Sequence, residues 1–252
     1  MSIFQYLHKS LFLCNFVVLK LLYMRIGIIV AMSKELELLK PMLENIRISE
    51  TNGLKFYCGT IGKHKIAAMQ CGVGKVNAAI GTVEMIDNYN PELIINTGVA
   101  GGVGNNVNVM DLVIGSKVGY HDVWCGGFDD NTVYGQMQGL PPTFEGASII
   151  LDLIQESDTV HCGLIVSGDQ FIDSKQQVDV ISEHFPEAIA VDMESGAIAQ
   201  TCYIRKTPFV SMRVISDSPG AGHNNSQQYS DFWVDAPAHT LAMVSDLLKK
   251  LN

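Results

Sequence analysis

From residue 24 onward the chain alternates short, wholly apolar runs with stretches of helical spacing, and that alternation restricts it to a sheet covered by helices. The run Ile26-Gly27-Ile28-Ile29-Val30 is apolar on both faces, as a fully covered central strand requires. Residues 34–43 follow with Leu36, Leu39 and Leu43 at helical spacing, and Pro41 shortens or bends that helix. Residues 53–62 and 65–71 read as a hairpin about Gly62-Lys63-His64, so part of the sheet is antiparallel. Gly72-Val73-Gly74-Lys75 opens a helix over 76–89. Further buried strands are expected at 93–96, ending in Gly98-Val99-Ala100-Gly101-Gly102, and at 111–118, 163–166 and 208–215. A closing helix is expected over about 230–251, with Ala238, Leu241, Val244, Leu247 and Leu248 on one face. Residues 120–146, rich in Gly, Asp and Pro, form one long irregular stretch, and a loop of that length in a compact domain is usually functional. The expectation is a single α/β domain with a mixed central sheet flanked by helices.

Size and charge narrow the function. At 252 residues, 47% hydrophobic and 17% charged, the chain buries one sizeable core without needing a second domain. A formal charge of −9 excludes a phosphate-backbone partner of the usual kind, since nucleic-acid binding rests on clustered Lys and Arg. A small-molecule ligand fits better. The six cysteines, at 14, 58, 71, 125, 162 and 202, form no CxxC pair, and His161-Cys162 has no partner at metal spacing. They read as apolar core residues in a reducing cytoplasm, with no metal and no cofactor implied. Residues 1–23 do not resemble the rest. Their apolar run is too short to span a bilayer and lacks an Ala-x-Ala-like cleavage site. We read them as an extension upstream of a start at Met24, outside a domain over 24–252; a membrane-directed leader is the other reading, and no stable membrane association is expected.

Chemistry concentrates at three strand ends. In Ala190-Val191-Asp192-Met193-Glu194-Ser195-Gly196-Ala197 a carboxylate stands where an apolar run becomes a small-residue helix. Glu35, after the first strand, and Asp217, closing Val214-Ile215-Ser216-Asp217, have equivalent settings. Ligands of open α/β sheets lie outside the carboxyl ends of strands, so the three acids point to one acid–base site. Singly, each has a plainer explanation: a helix-start dipole partner for Glu35 or Glu194, a turn residue for Asp217 before Ser218-Pro219-Gly220, a buried counter-ion for Arg213, core packing for Met193, and a loop anchor for His121-Asp122. The glycine loops at 72–75 and 98–102 are neither a Walker loop nor a GxGxxG turn.

The motifs Ile26 to Glu35, Val73-Gly74-Lys75-Val76, Asn96 to Gly102, Tyr120-His121-Asp122, Ser167-Gly168-Asp169-Gln170-Phe171-Ile172, Ala190 to Ala199 and Arg213 to Asp217 occur in a familiar order. Residues 24–252 resemble, over essentially their whole length, the bacterial 5′-methylthioadenosine/S-adenosylhomocysteine nucleosidases of the nucleoside phosphorylase superfamily. The resemblance implies a partly barrel-like mixed sheet and hydrolysis of the bond between adenine and a 5′-thio-substituted ribose. Asp217 matches the general acid on purine N7, a role that requires a raised pKa. Glu35 matches the general base for water on the opposite face of the sugar, as in inverting glycosidases. Glu194 matches the acceptor of the ribose hydroxyls, Met193 the apolar wall below the ribose, and Arg213 a cation beside the hydroxyl- and water-binding groups. Phe171 resembles the aromatic that stacks on adenine, while the backbone of Ile172 reads the purine edge. Val73, Met32 and Tyr229 resemble the 5′-alkylthio pocket, and Val99 and Ser216 complete the substrate-binding set. A homodimer is implied, because relatives complete that pocket with a neighbouring subunit's loop.

Within the superfamily the competitor is phosphorolysis. Its Arg positions read here as Ala31-Met32-Ser33-Lys34-Glu35 and Ile95-Asn96-Thr97-Gly98, and a carboxylate at the phosphate position repels a dianion. Val99 stands where many members have Ser, and the segments Trp124-Cys125-Gly126-Gly127-Phe128 and 220–228 depart from the pattern. Methylthioadenosine, adenosylhomocysteine, 5′-deoxyadenosine and aminodeoxyfutalosine of menaquinone synthesis all remain open as substrates. A non-catalytic nucleoside-binding module is the reading from another class.

Overall fold

A computed structural model describes residues 23–104, 106–126, 133–221, 225–235 and 239–251. Its strands are β1 (Arg25–Val30), β2 (Glu44–Thr51), β3 (Leu54–Ile61), β4 (His64–Gln70), β5 (Leu93–Gly102), β6 (Leu112–Tyr120), β7 (Thr143–Glu145), β8 (Val160–Ser167), β9 (Ala188–Asp192) and β10 (Phe209–Asp217). The helices are α1 (Ser33–Leu39), α2 (Lys75–Tyr89), α3 (Ser148–Leu151), α4 (Lys175–His184), α5 (Ser195–Arg205), α6 (Asn225–Asp235) and α7 (His239–Lys250). All strands join one mixed sheet, in the order β10-β6-β8-β9-β5-β1-β4-β3-β2. A further β10–β5 pairing closes β5, β10, β6, β8 and β9 into a five-stranded barrel, from which β1 to β4 extend as an open arm.

Strand β5 is the hinge of this arrangement. Residues 93–96 pair with β1 on one side, and Gly101 and Gly102 pair with β9 on that same side. Between them, residues 97–100 have strand contacts only with β10. The gap opens outside the carboxyl ends of β1 and β9, where a strand changes neighbours, which is the place at which α/β sheets hold ligands. Ile28, Ile29 and Val30 are fully buried because β1 lies inside the sheet with helices on it, and β10 is buried along its whole length. Such strands show no alternation, which is why they read as continuous apolar runs.

Three expectations need correction. The run Gly98 to Gly102 is strand rather than loop, since β5 continues to Gly102 so that it can pair with β10 and β9. The closing helix is two, α6 and α7, with Ala238 outside the described residues and Val244, Leu247 and Leu248 buried. The irregular stretch after Tyr120 contains β7, an edge strand on β6. Strand β2 is a largely exposed edge, and helix α4 buries only Ile181. The hairpin β3–β4 turns at Gly62-Lys63, and α1 ends at Leu39 in a 3₁₀ turn holding Pro41, both as the sequence indicates. Residues 1–22 lie outside the described residues.

Candidate active site

The gap beside β5 is the floor of a cleft of about 550 Å³, counting its open mouth. Met32, Glu35, Val73, Val99, Phe171, Ile172, Met193, Glu194, Arg213, Ser216 and Asp217 all line it. Tyr229 alone of the expected set does not. From α6 it donates its hydroxyl to Met32 Sδ at 3.3 Å and meets the Phe171 ring edge to face at 5.6 Å, forming a layer behind the wall.

The carboxylates arrive on three different elements. Glu35 sits in the first turn of α1 with its side chain 2% exposed. Its Oε2 accepts the N–H groups of Ala31 and Met32, both at 2.9 Å, and its Oε1 accepts that of Val99 at 3.2 Å. The Val99 amide is free to do so because β5 lacks a strand partner on the side away from β10 there. Burial pushes the Glu35 pKa up, while the Arg213 cation and the three N–H groups oppose the rise. Gly98, opposite Arg213 in the register, has φ +153°; a Cβ there would lie 2.8 Å from Arg213 Nη1 and closer still to Glu35 Oε1.

Glu194 follows β9 and precedes α5. Its Oε1 accepts the Gly74 N–H at 3.0 Å, and its Oε2 lies 3.4 Å from Arg213 Nη2. Burial pushes its pKa up to about 7 against the pull of Arg213, with the negative charge of Asp192 adding to the rise. Asp217 ends β10, receives the Ser216 hydroxyl at 2.5 Å and is 2% exposed. Burial raises its pKa too, with Ser216 and Asn225 favouring the charged form.

Arg213 is 1% exposed, and an isolated cation there would cost many kcal/mol. Asp192 is its direct partner, at 2.5 Å from Nη2, and Asn96 Oδ1 accepts from the same nitrogen at 2.6 Å. Asp192 is fixed in turn by the hydroxyls of Ser167 and Ser195. Arg213 therefore does neutralise a buried carboxylate, as the plainer explanation held, yet it also lines the cleft. With Asp192 balancing Arg213, Glu35 and Glu194 are surplus acids in a shared enclosure. Such a site disfavours charge on both at once, and it is Glu194 whose pKa is pushed to about 7, into the range of acid–base chemistry.

Sequence reasoning missed Asp192, Asn96 and the N–H of Gly74. The one available signal was polar residues inside apolar runs, Asn96 in Ile94-Ile95-Asn96-Thr97 and Asp192 in Ala190-Val191-Asp192. His121 and Asp122 do not line the cleft, and His161 Nε2 meets Asp111 at 3.1 Å on the barrel. Of the departing segments, Trp124 is exposed and stacks on Tyr134, whereas 127–132 and 222–224 lie outside the described residues. Among the described residues no three His, Cys, Asp or Glu side chains are grouped to hold a metal, the cysteines are free thiols, and no helix is long and apolar enough to cross a membrane.

Residues 25–249 match the family described as the phosphorylase superfamily. The 5′-methylthioadenosine/S-adenosylhomocysteine nucleosidase of an Exiguobacterium species is 40% identical over 235 residues, covering 91% of this chain and 99% of its own. That of Oceanobacillus iheyensis is 36% identical over 233 residues, covering 90% and 100%. Among solved structures, the S. pneumoniae nucleosidase with the transition-state inhibitor MT-ImmA has a TM-score of 0.85 at 33% identity, covering 91% of this chain and all of that one. The Neisseria meningitidis nucleosidase in complex with methylthio-immucillin-A has a TM-score of 0.84 at 37% identity, covering 90% and 99%.

Proposed function

This chain belongs to the phosphorylase superfamily and, within it, to the 5′-methylthioadenosine/S-adenosylhomocysteine nucleosidases, and from that premise we propose that it hydrolyses the N-glycosidic bond of both nucleosides. The reading releases adenine and a 5′-thio-substituted ribose. The observation that carries it is that Glu35 and Asp217, 182 positions apart in the chain, line one cleft with Glu194 and Arg213.

In this mechanism Asp217 gives its proton to N7 of the purine as the C1′–N9 bond breaks, so adenine leaves neutral. Burial supports the role by raising the Asp217 pKa, which favours the protonated acid. Glu35 takes a proton from water while the water oxygen bonds to C1′. Glu35 Oε1 and Arg213 Nη1 both pack against the bare Gly98 α-carbon, which supports base and cation acting side by side on the attacking water. Glu194 accepts the ribose hydroxyls, and its charge favours the oxocarbenium-like sugar. Phe171 stacks on the base, Ile172 reads its edge through the backbone, and Met193 lies against the ribose. Val99 and Ser216 bound the sugar and the acid. Met32 and Val73 take the 5′ substituent, where the Met32 thioether suits an alkylthio group and Tyr229 supports it from behind.

A homodimer is part of the same proposal, supported by Val76 and Ile80, exposed one turn apart on α2, and by Val73 exposed just before that helix at the cleft. So is a cytoplasmic location, which free thiols suit. The test is to incubate the chain with methylthioadenosine, with and without phosphate, and follow adenine. Release that is independent of phosphate is expected. Release that requires phosphate, with ribose-1-phosphate as product, would make the chain a phosphorylase, and tight binding without turnover would make it a sensor.

A further inference from the structure

The Tyr120-His121-Asp122 and Gly74-Lys75 motifs do not line the cleft, yet Lys75 and Asp122 join Asp169 in a closed ring of hydrogen bonds directly behind it. Lys75, the first residue of α2, spans both carboxylate oxygens of Asp122 at 2.8 and 2.7 Å. Asp122 Oδ2 also accepts the Asp169 N–H at 2.8 Å. Asp169 Oδ1 accepts the Lys75 N–H at 2.7 Å, which closes the ring. Three segments are tied together by it: the turn before α2, the end of β6 and the loop after β8. Lys75 and Asp122 expose 21% and 16% of their side chains, so the pair is largely out of water and is not a loose surface contact.

The ring bears on the site through Gly74. This residue has φ +94°, and a Cβ on it would lie 3.0 Å from Asp169 Oδ1, so the turn is pressed against the ring. In that conformation its N–H points away from the ring to Glu194 Oε1 at 3.0 Å. Asp169 is moreover followed directly by Gln170, Phe171 and Ile172 of the cleft wall. His121 wedges beside the ring, buried, with a side chain at Gly168 excluded by its imidazole.

We propose that Lys75, Asp122 and Asp169 are positioning residues that aim the Gly74 N–H at Glu194 and so fix the carboxylate that grips the ribose. The inference rests on the ribose-binding role of Glu194 given above, and it adds residues that act on the substrate through that carboxylate alone. It follows that damage to the ring is felt only where Glu194 has hydroxyls to hold.

The experiment measures kcat and KM of wild type, Asp122→Asn, Asp122→Glu and Asp169→Ala on 5′-methylthioadenosine and on its 2′-deoxy counterpart. Asp122→Asn is expected to lower kcat/KM about tenfold on the ribonucleoside, a loss of 1.4 kcal/mol, and about twofold on the deoxy substrate. Asp122→Glu, which keeps the charge, should recover part of the loss. Asp169→Ala should repeat the asymmetry, and as a half-exposed position it serves if Asp122→Asn does not fold. Equal losses on both substrates, or no loss, would overturn the proposal and leave the ring a part of the fold only. Glu194→Gln on the same pair tests the underlying reading separately: if that variant keeps the wild-type preference for the ribonucleoside, it is the role of Glu194 that fails.

Discussion

Replacing Glu194 by Gln should make the folded chain more stable at alkaline pH while impairing it as an enzyme. The carboxyl is 4% exposed and its pKa is pushed from an ordinary 4.5 up to about 7, a net figure that already includes the attraction of Arg213. A group whose pKa is higher folded than unfolded contributes nothing adverse below pH 4.5, where both states hold the proton. Between there and about pH 7 the unfolded chain ionises first, and stability falls as pH rises. At 1.36 kcal/mol per unit, the full loss above that range is about 3 kcal/mol. Gln keeps an acceptor for the Gly74 N–H but turns a donor toward Arg213 Nη2, which costs about 1 kcal/mol. The net gain at about pH 8 is therefore roughly 2 kcal/mol, or about 4–8 °C in Tm for a chain of this size. Urea and thermal unfolding of both proteins at about pH 4.5 and pH 8 measure it. The gain should be present at the higher pH and vanish or reverse at the lower. A difference between the proteins that does not change with pH would show that Glu194 is ionised throughout, and the argument from burial would fail.

Asp217→Asn should lower kcat by about 10²–10⁴ with substrate affinity little changed, and stopped assays of adenine release would show it; turnover at the wild-type rate would remove Asp217 as the acid. Wild-type kcat/KM should fall at low pH as Glu35 takes up its proton and at high pH as Asp217 loses its own, because burial raises both pKa values; Glu35→Gln should abolish hydrolysis with no rescue by phosphate. Gly98→Ala should abolish activity and lower Tm, since a methyl group there collides with both Glu35 and Arg213, and a fully active variant would mean the two groups lie further apart. Phe171→Ala should raise KM about tenfold through lost stacking, with kcat nearly kept.

The residues of the site were legible in the sequence to an unequal degree. Glu35, Glu194 and Asp217 stood out because a carboxylate just past an apolar run is unusual, and position at a strand end is itself a statement about space. Asp192 was hidden two places before Glu194, because a buried acid is recognisable only by its partner, and Arg213 is 21 positions away in the chain. The Asp122–Lys75 ring was hidden for the same reason, its members being brought together by β6, β8 and α2 from separate parts of the chain.

Local sequence also determined most of the strands, since burial on both faces leaves a signature within one segment, and it determined the hairpin and the 3₁₀ turn, which depend on neighbours in the chain. It did not determine how far β5 runs. Glycines 98, 101 and 102 have no side chains to mark a period, and their strand exists only because β10 and β9 lie alongside to take its hydrogen bonds. The split of the last helix, the closure of the barrel and the proton affinity of the three acids were likewise settled by packing. A carboxyl group has one intrinsic pKa in any sequence, and what moves it is the loss of water and the charges that a fold sets around it.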